Sequence, residues 1–366
     1  KEGNGTDKIP DLINGIKADL DCFHINSFQE CRTFYKIIIL CLTEKSKYNT
    51  VKMNKRIAFH NLGCKVNSYE TEAMIRQMEQ EGCEIVPFEE QADVYVVNTC
   101  TVTNIADRKS RQMLHRARQK NPNAIVVAAG CYVNTRDRDE VLNEGVDIVI
   151  GNKEKSKIAE IISDYLAEHP DKVSHKALDI SSVEALTLPA NPMKKSHSEI
   201  EMSRTRAFIK IQDGCEMFCS YCIIPYAREE LRSRDEDESI AEITALAAKG
   251  YSEFVITGIH LSSYGIDKIP SVSSPSRHMN FAEFISEYRK GTIESPLVDY
   301  LKKISAIDGV KRIRLGSFEP RIVTEAFARE LSSLPKICPH FHFSLQSGSD
   351  SVLKRMNRHY SLEEYK

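Results

Sequence analysis

The chain has 366 residues and eleven cysteines, and its 50 basic and 52 acidic residues leave a formal net charge of −2. That length allows two or three domains with substantial cores, and the balanced charge excludes a chain held to nucleic acid by bulk electrostatics, so any anion-binding surface has to be local. An odd number of cysteines at irregular spacing argues against a disulfide framework and for metal ligation.

Residues 1–52 show no strand–helix rhythm. The stretch "FYKIIILCL" (34–42) is apolar, but it contains a lysine and is too short to span a bilayer. With no secretory signal either, a cytoplasmic protein with no membrane partner is expected. Met53 opens "MNKRIAFHNLGCKVNSYE" as a natural protein start does. Residues 1–52 are therefore read as an extension that is not native or is poorly ordered.

From Met53 the pattern turns to strands alternating with helices. "RIAFHNLG", "ADVYVVNTC", "NAIVVAAGC" and "GVDIVIGN" are apolar strand candidates. "ETEAMIRQMEQEG", a basic helix around "ADRKSRQMLHRARQK" and "EKSKIAEIISDYLAEH" carry helical spacing. This order predicts an α/β domain with a doubly wound parallel sheet over residues 53–165. Residues 166–205 are polar and interrupted by Pro170, Pro189 and Pro192, which predicts a linker. A second series over residues 206–366 contains "TRAFIKIQDGC", "SEFVITGI", "VKRIRLGSF" and "HFHFSLQSG". It predicts a β/α barrel with too few strands to close, so the chain is expected to be C-terminally truncated. The Ser- and Pro-rich stretch 266–295 is expected to be an inserted surface loop.

Two groups of three cysteines stand out. Cys215, Cys219 and Cys222 form C-x3-C-x2-C directly after the first barrel-type strand. A structural zinc site needs a fourth ligand, and none is near in sequence. Three thiolates on a four-iron cluster leave one iron open for chemistry; zinc completed by a distant group such as His260 is the alternative. Cys64, Cys100 and Cys131 each end an apolar strand. In a parallel sheet those strand ends share one edge, so the three thiols can converge there. Cys22, Cys31, Cys41, Cys83 and Cys338 follow no pattern and read as packing residues or free thiols.

C-x3-C-x2-C with Tyr221 before its last cysteine resembles the radical S-adenosylmethionine enzymes. Taken with the three strand-end cysteines, it resembles their methylthiotransferase subfamily. "GCKVNSYET", "VVNTCTVTNIAD", "TGIHLSSYG", "RIRLGSFEPR", "HFHFSLQSGS" and "VLKRMNRHY" are most similar to the branch acting on N6-threonylcarbamoyladenosine in tRNA. The resemblance runs from Met53 to the end, apart from the expected insert. It lapses after Arg228, where Glu229 and Glu230 replace a glycine-containing stretch.

The resemblance implies two 4Fe-4S clusters, one on Cys215, Cys219 and Cys222 that binds S-adenosylmethionine and generates a 5′-deoxyadenosyl radical, and an auxiliary one on Cys64, Cys100 and Cys131 that supplies sulfur. It implies a methylthio group placed on C2 of the adenine next to the anticodon. It also implies Tyr221 beside the cofactor adenine, although the residue alone reads equally as a core aromatic. Gly258, Ser317 and Gln346, at later strand ends, are candidate cofactor contacts. Partners implied are tRNA and an electron-donor protein. The basic helix itself offers Arg111, Arg116 and Arg118 as candidate phosphate contacts, and it reads equally as a solvated charged face. The resemblance also implies an RNA-binding β domain after the barrel, which a C-terminally truncated chain is expected to lack. Isopentenyladenosine in tRNA and a ribosomal-protein aspartate are the rival substrates, and a non-catalytic iron–sulfur or RNA-binding fragment is the rival of another class.

Overall fold

The computed structural model describes residues 53–169, 205–274 and 276–366. The expectations for residues 1–52, including Cys22, Cys31 and Cys41, lie outside them, as do those for residues 170–204. All described residues belong to one compact unit, Met53–Lys366, and no helix among them is long and apolar enough to cross a membrane.

In chain order the first elements are β1 (Arg56–Asn61), α1 (Lys65–Gln80), β2 (Glu84–Val86), β3 (Val94–Thr99), α2 (Asn104–Lys120), β4 (Ile125–Gly130), α3 (Cys131–Asn134), α4 (Arg138–Leu142), β5 (Ile148–Ile150) and α5 (Ile158–Glu168). The five strands form one parallel sheet in the order β2-β1-β3-β4-β5. Strand β2, only three residues long, escaped the sequence reading.

Strands β3 and β4 are buried at every position, as central parallel strands covered on both faces must be. Alternation along the strands divides the core. Ile57, Val94, Val96, Ile125 and Val127 meet Met74 and Met78 of α1 and Ile158 and Ile162 of α5. Ala58, Tyr95, Val97, Val126 and Ala128 meet Leu114 and Ala117 of α2. The sheet is thus doubly wound. Its strand order reverses between β1 and β3, which opens a crevice at their C-terminal ends.

Helix α5 runs to Glu168, so the start of the expected linker is the end of a helix. The second series comprises β6 (Ala207–Asp213), α6 (Ile224–Arg228), β7 (Arg232–Ser233), α7 (Glu236–Ala248), β8 (Glu253–Gly258), α8 (Phe281–Lys290), α9 (Pro296–Ser305), β9 (Arg312–Leu315), β10 (Ser317–Phe318), α10 (Glu325–Ser332), β11 (His342–Phe343), α11 (Asp350–Arg355) and α12 (Leu362–Tyr365). Parallel β6, β8 and β9 carry the short antiparallel β7 at the β6 edge, and β10 pairs with β11. Ile209, Ile211, Phe254, Ile256, Ile313 and Leu315 pack with Ile243 of α7 and Leu297, Leu301 and Ile304 of α9. Of the alternate residues, Phe208, Val255 and Arg314 line a cleft on the other face of the sheet.

The expected surface loop over 266–295 is not one. Asn280 caps α8 by accepting from the Glu283 N–H. Phe281, Phe284, Ile285 and Tyr288 are buried in the barrel core. Their i, i+3, i+4, i+7 spacing is the stripe of an amphipathic helix. The Ser- and Pro-rich run that suggested a loop, Pro270–Ser276, ends before that stripe begins.

Candidate metal centres

The strand-end cysteines sit at one edge of the first sheet. Cys64 is the N-cap residue of α1 and is exposed; Cys100 follows β3 and Cys131 opens α3, both buried. Burial pushes the Cys100 thiol up, and Cys131 and Cys64 lie close enough to push it further. Each of Cys64 and Cys131 follows a glycine in the left-handed region, Gly63 (φ +98°) and Gly130 (φ +105°). A Cβ on Gly63 would come within 2.8 Å of Cys100 Sγ, so only glycine lets the two cysteine loops approach this closely.

Asn67 ties the same loops together, donating to Leu62 O at 2.7 Å and Thr99 O at 2.9 Å. Asn152, after β5, donates to Cys131 Sγ at 3.7 Å and to Ala227 O at 2.7 Å.

The second triad lies on the loop between β6 and α6. Burial, reinforced by Cys222 and Cys219, pushes the Cys215 thiol up to about 12, and Cys222 is raised mainly by burial. These thiols therefore hold their protons without metal and release them on ligation.

A C-terminal segment that the sequence reading quoted but gave no role fastens this loop. Ser220 N donates to Met356 O at 3.1 Å, Asn357 Nδ2 to Phe218 O at 3.0 Å, and Arg358 Nη1 to Cys219 Sγ at 3.6 Å. Gln212 is a second residue the sequence reading missed. It is buried and donates to Asp213 O and Gly214 O, both at 2.7 Å, while its Oε1 accepts from His260 N at 2.7 Å.

Of the expected cofactor contacts, Tyr221 is 51% exposed, which removes the core-aromatic alternative. Gly258 lies where a Cβ would come within 2.9 Å of Gln212, so its small size serves packing against that side chain. Ser317 is exposed and hydrogen-bonds to His342 Nδ1 at 2.9 Å. Gln346 is exposed with φ +64°. Among the described residues no hydrogen bond joins any two of these four. His260, the alternative zinc ligand, binds Ser263 Oγ through Nδ1 at 2.5 Å; burial, then Arg321 and Arg358, push it down to about 3. Among the described residues no three His, Cys, Asp or Glu side chains close up enough to hold a single metal ion, as zinc requires. Thiolates on separate irons of one cluster stand farther apart.

A buried ion network joins the two cysteine groups. Arg228, the last residue of α6 and six positions after Cys222, has a fully buried side chain. It reaches Glu70 of α1 at 2.8 Å, Asp213 at 2.9 Å and Asn67 at 2.6 Å. Lys155 donates to Glu70 at 2.6 Å, and Lys210 to Glu70 at 2.5 Å and Asp213 at 2.7 Å. Beside Cys64, Lys65 helps line a cleft of about 360 Å³ with Arg206, Phe208, Arg314, Ser317 and His342.

The basic helix needs a correction. Arg118 spends its donors on Gly145 O, Pro122 O, Ala124 O and Asp147, so it closes the sheet's loops and has none left for a phosphate. Arg116 pairs with Glu89 at 2.6 Å, and Arg111 reaches Asp107 only at 4.0 Å.

Residues 56–151 match the family model described as uncharacterized protein family UPF0004, and residues 209–366 match the radical SAM superfamily. Threonylcarbamoyladenosine tRNA methylthiotransferase MtaB of Bacillus subtilis is 41% identical over 84% of this chain and 61% of its own length. The protein of the same name from Aquifex aeolicus is 36% identical over 85% of this chain and 67% of its own. The tRNA-2-methylthio-N(6)-dimethylallyladenosine synthase of Methylacidiphilum infernorum is 34% identical over 83% and 60%. The chain belongs to the radical S-adenosylmethionine methylthiotransferase family. It spans 60–67% of the length of these relatives.

Proposed function

We propose that this chain carries the cluster-binding part of a tRNA methylthiotransferase that places a methylthio group on C2 of N6-threonylcarbamoyladenosine next to the anticodon. Two separate cysteine triads, one at a parallel-sheet edge and one on a barrel loop, joined through buried Arg228, carry the reading. Residues 53–168 serve as the auxiliary-cluster domain and 206–366 as the radical domain.

Cys64, Cys100 and Cys131 hold one 4Fe-4S cluster, and Cys215, Cys219 and Cys222 the other. The donor sets fit: three thiols each, a glycine cradle at Gly63, and a buried cation at Arg228. Bound there, the clusters and S-adenosylmethionine supply one-electron chemistry strong enough for an adenine C2–H bond, which no side chain can activate. The chain's own residues position and enclose. Gln212 and the Met356–Arg358 segment fix the loop that holds one cluster, and Asn67 fixes the edge that holds the other. Tyr221, Gly258, Ser317 and Gln346 remain the candidate cofactor contacts. The partners are tRNA and an electron-donor protein. Arg111 is the first candidate for a phosphate, and Arg116 can serve by releasing Glu89.

Iron and acid-labile sulfide per chain test the reading. About eight irons after anaerobic reconstitution, falling to about four when either triad is changed to alanine, are expected. Zinc, or no more than about four irons in the unaltered chain, would overturn it. Nucleosides of tRNA from a deletion strain identify the base. Loss of the methylthio form of threonylcarbamoyladenosine supports the reading, and loss of the dimethylallyl form transfers it to the second substrate, which the Methylacidiphilum relative favours.

A further inference from the structure

The ion network under the strand-end cysteines does not balance. Lys155, Lys210 and Arg228 supply three positive charges, and Glu70 and Asp213 supply two negative ones. Arg232 touches Asp213 from the solvent side at 3.7 Å, but it is partly exposed and paired with Glu230 at 3.3 Å. Lys153 answers Glu229 and Glu230 at the surface. One positive charge is therefore left over among the buried groups.

Uncompensated buried charge costs several kcal/mol, so the surplus calls for an anion, and its location says where. A Cβ on Gly130, the residue before Cys131, would come within 3.3 Å of Lys155 Nζ. Asn152 donates to Cys131 Sγ at 3.7 Å and to the carbonyl of Ala227, the residue before Arg228, at 2.7 Å, which sets Arg228 beside the same cysteine loop. Arg228 Nε is buried with no hydrogen-bond partner among the described residues. Three thiolates around a dicationic four-iron core carry one net negative charge, equal to the surplus.

We infer that Lys155 and Arg228 are positioning residues whose unbalanced charge offsets the anionic auxiliary cluster and raises its reduction potential. The inference rests on the cluster assignment proposed above. Arg228 follows the loop that holds the other cluster, so one side chain couples the electrostatics of one site to the backbone of the second.

The test uses the chain with Cys215, Cys219 and Cys222 changed to alanine, which isolates the strand-end cluster. Its reduction potential is titrated by electron paramagnetic resonance in three further backgrounds. Lys155→Met removes the surplus and is expected to lower the potential. Glu70→Gln enlarges it and is expected to raise the potential. The double variant restores the original surplus and is expected to return toward the starting value. A merely structural role would move both single variants the same way or neither, and that result overturns the inference while leaving the cluster assignment standing. Lys210→Met makes the same charge change as Lys155→Met at a less buried position and replaces it if that protein does not fold. No iron in the triple-alanine chain overturns both the assignment and the inference.

Discussion

At the scale of the residue, three cysteines share one local device. Cys64, Cys131 and Cys215 each follow a glycine with positive φ, which turns the chain sharply enough to aim a thiol off a strand end. The Gly-Cys dipeptide was legible, but it is not diagnostic alone. Gly82 precedes Cys83 in the same conformation, and Cys83 is a packing residue in the sheet core.

Glu229 shows the opposite case. It holds φ +61°, ψ −146° without being glycine, in a region that costs of order 1–3 kcal/mol. Its pairing with Lys153 is largely exposed, and such pairs return about 0–1 kcal/mol; Glu230 can still hold Lys153 at 2.9 Å. Glu229→Gly is therefore expected to stabilise the protein by about 1 kcal/mol. Denaturant titration checks it; a lower midpoint would show that the Lys153 pairing outweighs the strain.

At the scale of the element, the basic helix α2 shows why a charge count misleads. "HRARQK" looks uniformly basic, yet 3.6-residue periodicity points Arg116 and Arg118, two positions apart, at different surroundings, the exposed Glu89 for one and the Gly145 carbonyl and Asp147 for the other. Arg118→Ala is expected to cost about 2–4 kcal/mol, because it removes the donor to three backbone carbonyls and the cation beside Asp147, which keeps the Val126 N–H and the Tyr165 hydroxyl. It should lower the melting temperature without a specific effect on tRNA. Arg111→Glu should leave the melting temperature near its starting value and reduce the salt slope of tRNA binding by about one. The reverse pattern would contradict both assignments. Helix α8 is the element where composition outweighed pattern: its Asn280 cap and four-residue apolar stripe were both visible, and the polar run before it drew the eye.

At the scale of the whole molecule, the two sheets are joined by ions as well as by apolar packing, so the join is sensitive to acid. Burial works against the charge on Glu70, but Lys155, Lys210 and Arg228 outweigh it and hold the carboxyl well below its ordinary 4.5. Asp213 is lowered in the same way, with Lys210 and Arg228 outweighing burial. A depressed carboxyl pKa gives stability that is complete above the unfolded value and is lost as pH falls toward the folded one. His260, kept neutral by burial and two arginines, starts to lose its share earlier, below about 6.5. The apo protein is expected to weaken gently below about 6.5 and steeply below about 4.5. Melting temperature against pH, with Glu70→Gln for comparison, reads this; an equally steep acid limb in the variant would remove Glu70 from the explanation.

What the sequence determined by itself was periodic or local. Apolar runs separated by amphipathic helices fix a doubly wound sheet, because each strand must bury both faces. C-x3-C-x2-C fixes a ligand loop, because eight residues cannot spread far. Only the tertiary structure decided what depends on distant residues meeting. Glu70, Asp213 and Arg228 are up to 158 positions apart and carry no periodicity, so nothing in the chain order announces their network. Asn357 and Arg358 fasten a cysteine loop 139 positions away for the same reason. Side-chain charge acts through space at a few ångströms, and sequence spacing reports that distance only within a single element.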